Sequence, residues 1–149
     1  MAIAIGDIHG RLAYLKLLVE MLPQDEPLVF LGDYIDRGPN SAQVVAYLET
    51  LRRQREVVLL MGNHEAMMAA AIRDTKNIRL WLYNGGRATL KSYGQVPAEW
   101  EKMADRAAAV EGFLPFFESL KPYHEDEFAI YVHAGIDVDV PSMAQQDER

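Results

Sequence analysis

With 149 residues, half of them hydrophobic and a quarter charged, the chain has the composition of one globular domain, 1–149, with a core of its own. A net charge of −7 argues against nucleic acid as a partner, because a phosphate backbone calls for a basic surface. The lack of cysteine excludes disulfides, thiolate ligands and a cysteine nucleophile, and no run reaches the ~18 apolar residues of a membrane helix.

In chain order, residues 2–5 read as a short strand. Leu12, Leu15, Leu18, Val19 and Leu22 then recur at helical spacing until Pro23 closes the helix. "PLVFL" (27–31) is a second strand, and Pro39 and Ser41 open a helix striped by Val44, Val45, Leu48 and Leu51. "EVVLLM" (56–61) is a third strand, followed by a helix carrying Met67, Met68, Ala71 and Ile72. Asn84-Gly85-Gly86 reads as a turn, and Trp100, Met103, Ala107, Val110 and Leu114 as a fourth helix stopped by Pro115. "FAIYV" (128–132) is the fourth strand. Continuous apolar strands alternating with helices predict an α/β fold with a largely parallel sheet, whose functional groups gather at the carboxyl ends of the strands. The start, Met-Ala-Ile-Ala-Ile, lacks the basic segment of a signal peptide, so the cytoplasm is the expected location.

Each of the four strands ends abruptly in polar residues: "GDIHG" (6–10), "GDYIDRG" (32–38), "GNHE" (62–65) and "VHAGID" (132–137). One Gly-Asp alone is a common turn, and one histidine alone is commonly a satisfied core residue. Four such ends in equivalent places have no packing reason. Asp7, His9, Asp33, Asn63 and His133 are oxygen or imidazole donors, with Gly6, Gly32 and Gly62 leaving room beside them. Hard oxygens mixed with imidazoles suit divalent ions, Mn²⁺ first, with Fe, Zn²⁺, Ni²⁺ or Mg²⁺ as alternatives. Five donors exceed what one catalytic ion usually takes, and a shared carboxylate makes two ions the natural solution. Arg37 can fork two phosphate oxygens, and His64, oriented by Asp36, can protonate a leaving oxygen. Glu65 simply begins a helix.

These residues resemble the three signatures of the phosphoprotein phosphatase branch of the calcineurin-like metallophosphoesterases. The glutamate of GNHE and the run "WLYNGG" (81–86) look most like the bacterial and phage-lambda type of serine/threonine phosphatase. The resemblance implies a β-sandwich flanked by helices, so that the strands divide between two sheets. It implies that Asp7 and His9 hold the first metal, that Asp33 bridges, and that Asn63 and His133 hold the second. It further implies that Arg37, with Asn63, binds substrate phosphate, that Asp36 and His64 supply the acid, and that hydroxide on the metals attacks phosphorus directly.

The family pattern continues past His133 with an arginine that grips phosphate and a histidine that completes the second metal's shell. This chain ends at "SMAQQDER" (142–149) without them, which predicts a fold truncated at its C-terminus and a weakly held second ion. The remaining histidine, His124 in "KPYHEDEF", reads as a solvated hairpin or loop position. The expected substrate is a phosphorylated protein. A small phosphoester such as a dinucleoside polyphosphate is the alternative, a non-catalytic binding module is another, and the oligomeric state stays open.

Overall fold

Three strands, β1 (Ile3–Ile5), β2 (Leu28–Phe30) and β3 (Val57–Leu59), pair in parallel in the order β1-β2-β3, with Ile5 beside Phe30 and Phe30 beside Leu59. The structure is a computed structural model that describes residues 2–137, 139, 140, 142 and 143. The polar end on which the truncated-fold expectation rests lies mostly outside the described residues.

Alternation along the strands sets the two layers. Leu28 and Phe30 face a large core with Leu15, Val44, Leu48, Met68 and Trp81, all contributed by helices. Val29, between them, faces the other way, toward Leu60 and Tyr131. The helical layer comprises α1 (Leu12–Met21), α2 (Ser41–Leu51), α3 (Asn63–Arg73), the short α4 (Ile78–Trp81), α5 (Arg87–Ser92), α6 (Pro97–Trp100) and α7 (Phe113–Glu118). The opposite face is covered by a hairpin, β4 (Tyr123–Glu125) and β5 (Ile130–Val132), paired antiparallel. Its approach to the parallel sheet is made by a bridge from Lys121 to Leu60.

The largely parallel sheet holds for three strands. The fourth predicted strand exists, but it belongs to a second, antiparallel sheet, as the family resemblance implied. Three local expectations fail. The stripe from Trp100 to Leu114 is not one helix: it breaks into α6, a 3-10 turn at Ala108–Val110 and the start of α7. Its apolar residues recur because they turn toward the core, Trp100 and Val110 fully buried and Met103, Ala107 and Leu114 partly so, and Gly112, at φ 85°, precedes the last piece. Pro115 does not stop a helix but sits in the first turn of α7, where its missing N–H leaves no bond unmade. Asn84-Gly85-Gly86 is a kink inside a helical run, bent at Gly85 with φ 113°, rather than a free turn. No helix of the described residues is long and apolar enough to cross a membrane.

Candidate active site

The loops that leave β1, β2 and β3 are tied to one another through the backbone. Ile8 and His9 N–H both donate to Asp33 O, and Gly10 N–H donates to Tyr34 O. Gly62 packs so tightly on Asp33 that a Cβ there would collide with the Asp33 N and Oδ1. A Cβ on Gly38 would likewise strike His9 O. At Gly6, by contrast, a Cβ would meet no protein atom, so the room predicted there is not needed by the described chain.

This crowding has a conformational consequence. Among the described residues, the non-glycine positions with positive φ are His9 (43°), Asp33 (56°), Asp36 (70°) and Arg37 (63°), all of them candidates chosen from the sequence. Left-handed backbone costs an L-residue on the order of 1 kcal/mol or more, and it concentrates where function demands a particular side-chain direction.

All eight predicted site residues meet at the carboxyl edge of the parallel sheet. The two oxygens of buried Asp33 point to different groups. Oδ2 lies 3.8 Å from His9 Nε2 and 3.9 Å from His64 Nε2, while Oδ1 lies 3.5 Å from His133 Nε2. Exposed Asp7 places Oδ2 3.5 Å from His9 Nε2. Asn63 Oδ1 is 3.0 Å from His133 Nε2. Two donor sets emerge, His9–Asp33–His64 and Asp7–Asp33–His133, with the ligand atoms of each within 4.8 Å of one another. Asp33 belongs to both. His124 belongs to neither: it stands on β4 of the hairpin, and its ring stacks on Tyr131 at 5.8 Å.

The ring tautomers follow from their partners. His9 Nδ1 is 2.9 Å from Ile35 O, and His133 Nδ1 is 2.9 Å from Leu31 O. A carbonyl only accepts, so both Nδ1 atoms carry a proton and both Nε2 atoms face the site. Two imidazole nitrogens, two carboxylates and an amide oxygen converge, and this donor set fits a pair of divalent ions that share Asp33. Arg37 supplies positive charge there. Its guanidinium donates to His9 Nε2 at 2.9 Å and to His64 Nε2 at 3.1 Å.

Behind the donors lies the Asp36–His64 pair. Asp36 is fully buried and accepts from His64 Nδ1 at 2.7 Å. Burial alone would lower the His64 pKa, but the bond to Asp36 and the charges of Asp33 and Asp36 outweigh burial, and Arg37 offsets them only in part. The net direction is upward.

The carboxylate of Asp36 is itself held from far along the chain. Trp81 Nε1 donates to both of its oxygens at 3.1 and 2.9 Å, and Thr89 Oγ1 donates to Oδ1 at 2.6 Å. Ser41 Oγ, on the first residue of α2, accepts from Asp36 N–H at 3.1 Å. Sequence reasoning assigned Trp81 no role. Its signal was a tryptophan five residues before Gly86, in the same segment whose Gly85 O accepts from Arg37 N–H at 3.3 Å.

Glu65 was also under-read. It does start α3, but its wholly buried carboxylate accepts four backbone N–H groups: Tyr34 and Ile35 on Oε1, Asp33 and Gly62 on Oε2. It thus fastens the β2 loop to the β3 loop. Burial, then the facing charge of Asp33, pushes its pKa up to about 7 against those donors.

An α/β sheet whose carboxyl edge carries a bridging aspartate, paired imidazoles and a buried aspartate–histidine couple has the layout of a divalent-metal hydrolase. The sequence pattern of the calcineurin-like phosphoesterases matches residues 2–136, and the chain belongs to that family. Serine/threonine-protein phosphatase 1 of Salmonella typhimurium is 44% identical over 85 residues, covering 55% of this chain and 37% of the relative. An asymmetrical bis(5'-nucleosyl)-tetraphosphatase of Anoxybacillus flavithermus is 30% identical over 159 residues, covering 95% of this chain and 60% of the relative. The chain therefore spans between 37% and 60% of the length of these two curated relatives. The crystal structure of a cold-active protein tyrosine phosphatase superposes with a TM-score of 0.61 at 21% identity, covering 91% of this chain and 42% of the other, and shows the shared fold.

Proposed function

We propose that this chain hydrolyses phosphoesters, with Asp7, His9, Asp33, Asn63 and His133 holding two divalent ions. Ions held there supply Lewis acidity and make water nucleophilic at neutral pH. Arg37 binds the phosphate. It exchanges its two imidazole acceptors for phosphate oxygens, which frees His9 Nε2 as a ligand and His64 Nε2 to carry a proton. Asp36 keeps the proton on His64 Nδ1 and stabilises the imidazolium, so that Nε2–H can be delivered to the leaving oxygen. The observation that carries this reading is the 2.7 Å Asp36–His64 couple opening onto the split carboxylate of Asp33.

The reaction is common to phosphoprotein and polyphosphate substrates. The GNHE signature and the stretch resembling serine/threonine phosphatase favour the first, and the near whole-chain likeness to a tetraphosphatase favours the second. Turnover of p-nitrophenyl phosphate with added Mn²⁺, lost in Asp33→Asn, is the direct test. A purified, folded, Mn²⁺-loaded chain that releases no p-nitrophenol would refute the reading, and with it leave the binding-module alternative standing.

A further inference from the structure

Beside Arg37 opens a cavity of about 500 Å³, lined by Arg37, Pro39, Leu82, Gly85, Arg87, Ala88 and Lys91. Arg37 is the shared wall. Its guanidinium reaches into the site, while its stem packs where a Cβ on Gly85 would come within 2.9 Å of its Cγ. Arg87 and Lys91 stand four residues apart on α5, on one face. Neither side chain has a carboxylate partner or hydrogen bond among the described residues, in a chain with 22 acidic side chains against 15 basic ones. Two like charges one turn apart repel each other, so leaving them unpaired costs stability unless something anionic visits. The other walls, Leu82, Ala88 and Pro39, are apolar.

Resting on the phosphoester reaction proposed above, the geometry points to a second anion subsite: the cavity takes a further phosphate of the same substrate, adjacent to the one Arg37 holds. The substrate class is then a small polyphosphate ester. A cavity of this volume is of small-molecule size. It is walled by α5, the kinked helical run before it and the loop of Arg37 and Pro39, and none of the five strands lines it, so there is no sheet edge that a peptide could join. Three cationic side chains line one cavity, which suits a chain of several phosphates, and the apolar walls leave room for what the chain is attached to.

The test compares the wild-type chain with the Arg87→Gln/Lys91→Gln double variant. The ratio of kcat/KM for adenosine triphosphate to that for p-nitrophenyl phosphate, at fixed free Mn²⁺, falls about tenfold in the double variant, the loss of two charge-assisted contacts at a partly exposed site. Arg87→Lys/Lys91→Arg, which keeps both charges, retains at least half the wild-type ratio. Calorimetry with tripolyphosphate on metal-free protein gives a readout apart from turnover: the double variant weakens binding by a similar factor. Calorimetric weakening without turnover of either substrate would sink the proposed reaction and uphold the subsite. An unchanged ratio and unchanged calorimetry would overturn the subsite. So would a double variant that loses turnover only on an acidic phosphopeptide, which would give the cavity to a protein substrate.

Discussion

Glutamine at position 65 would keep the shape of the side chain and remove its charge. The carboxylate it replaces faces four backbone N–H groups at 2.8, 2.9, 3.2 and 3.2 Å. Whichever way the amide is turned, its NH₂ meets two of those donors and leaves them without an acceptor. A buried unsatisfied donor costs ~1–3 kcal/mol; the protonated acid present at pH 5 already turns its O–H on one of the four donors, so the amide loses one acceptor more and the direct loss there is about 1–3 kcal/mol. One effect opposes it. The Glu65 pKa is raised from 4.5 to about 7, so the ionised carboxylate costs the fold about 3 kcal/mol above that pH. A raised carboxyl pKa means that the native state binds more protons than the unfolded chain between these values. Its contribution is therefore full below about pH 4.5 and lost as pH rises through about 7. Glutamine has no such titration. Urea denaturation of metal-free protein at pH 5 and pH 8 should thus show Glu65→Gln costing most at pH 5, with the deficit shrinking toward pH 8. A loss below about 1 kcal/mol at pH 5, or one that grows with pH, would refute the clamp.

Other consequences are as direct. His64→Asn should lower kcat on alkyl phosphates by ~10²–10⁴-fold, and by much less on p-nitrophenyl phosphate, whose leaving group needs little protonation. Trp81→Phe removes an N–H shared by both Asp36 oxygens, and should lower kcat about tenfold with the same leaving-group bias and KM within about twofold. An equal loss on both substrates would make Trp81 a packing residue only. On α1, Tyr14, Leu17 and Met21 are 71%, 57% and 83% exposed, an apolar face continuing into a partly apolar cavity beside Asp7. Sedimentation should show concentration-dependent association that Leu17→Glu/Met21→Glu suppresses, and a monomer at all concentrations would refute it.

What was legible in the sequence is what is local. Strands that end in Gly-Asp, Gly-Asn or Val-His announce their own donors within a few residues, and all eight candidates converge in space. The parallel strands were equally plain, because their residues are uniformly apolar, although only β2 is buried on both faces. The hairpin was half hidden, since β4 reads Tyr-His-Glu and has one side partly exposed. Contacts that span the chain left no local trace: Trp81 and Thr89 lie 45 and 53 residues from the carboxylate they hold. Glu65 was visible as a helix start, and that role concealed the larger one. In the segment from 100 to 118, periodic burial imitated a helix that Gly112 and an irregular backbone interrupt.

The central claim is that Asp33 joins two metal ions. Anomalous diffraction from crystals grown with Mn²⁺ tests it most directly. The account predicts two peaks flanking Asp33, one beside His9 and one on the side of Asn63 and His133, with Arg37 displaced from His9 Nε2. Peaks that avoid Asp33, or an Arg37 guanidinium still seated on His9 in the loaded crystal, would contradict it.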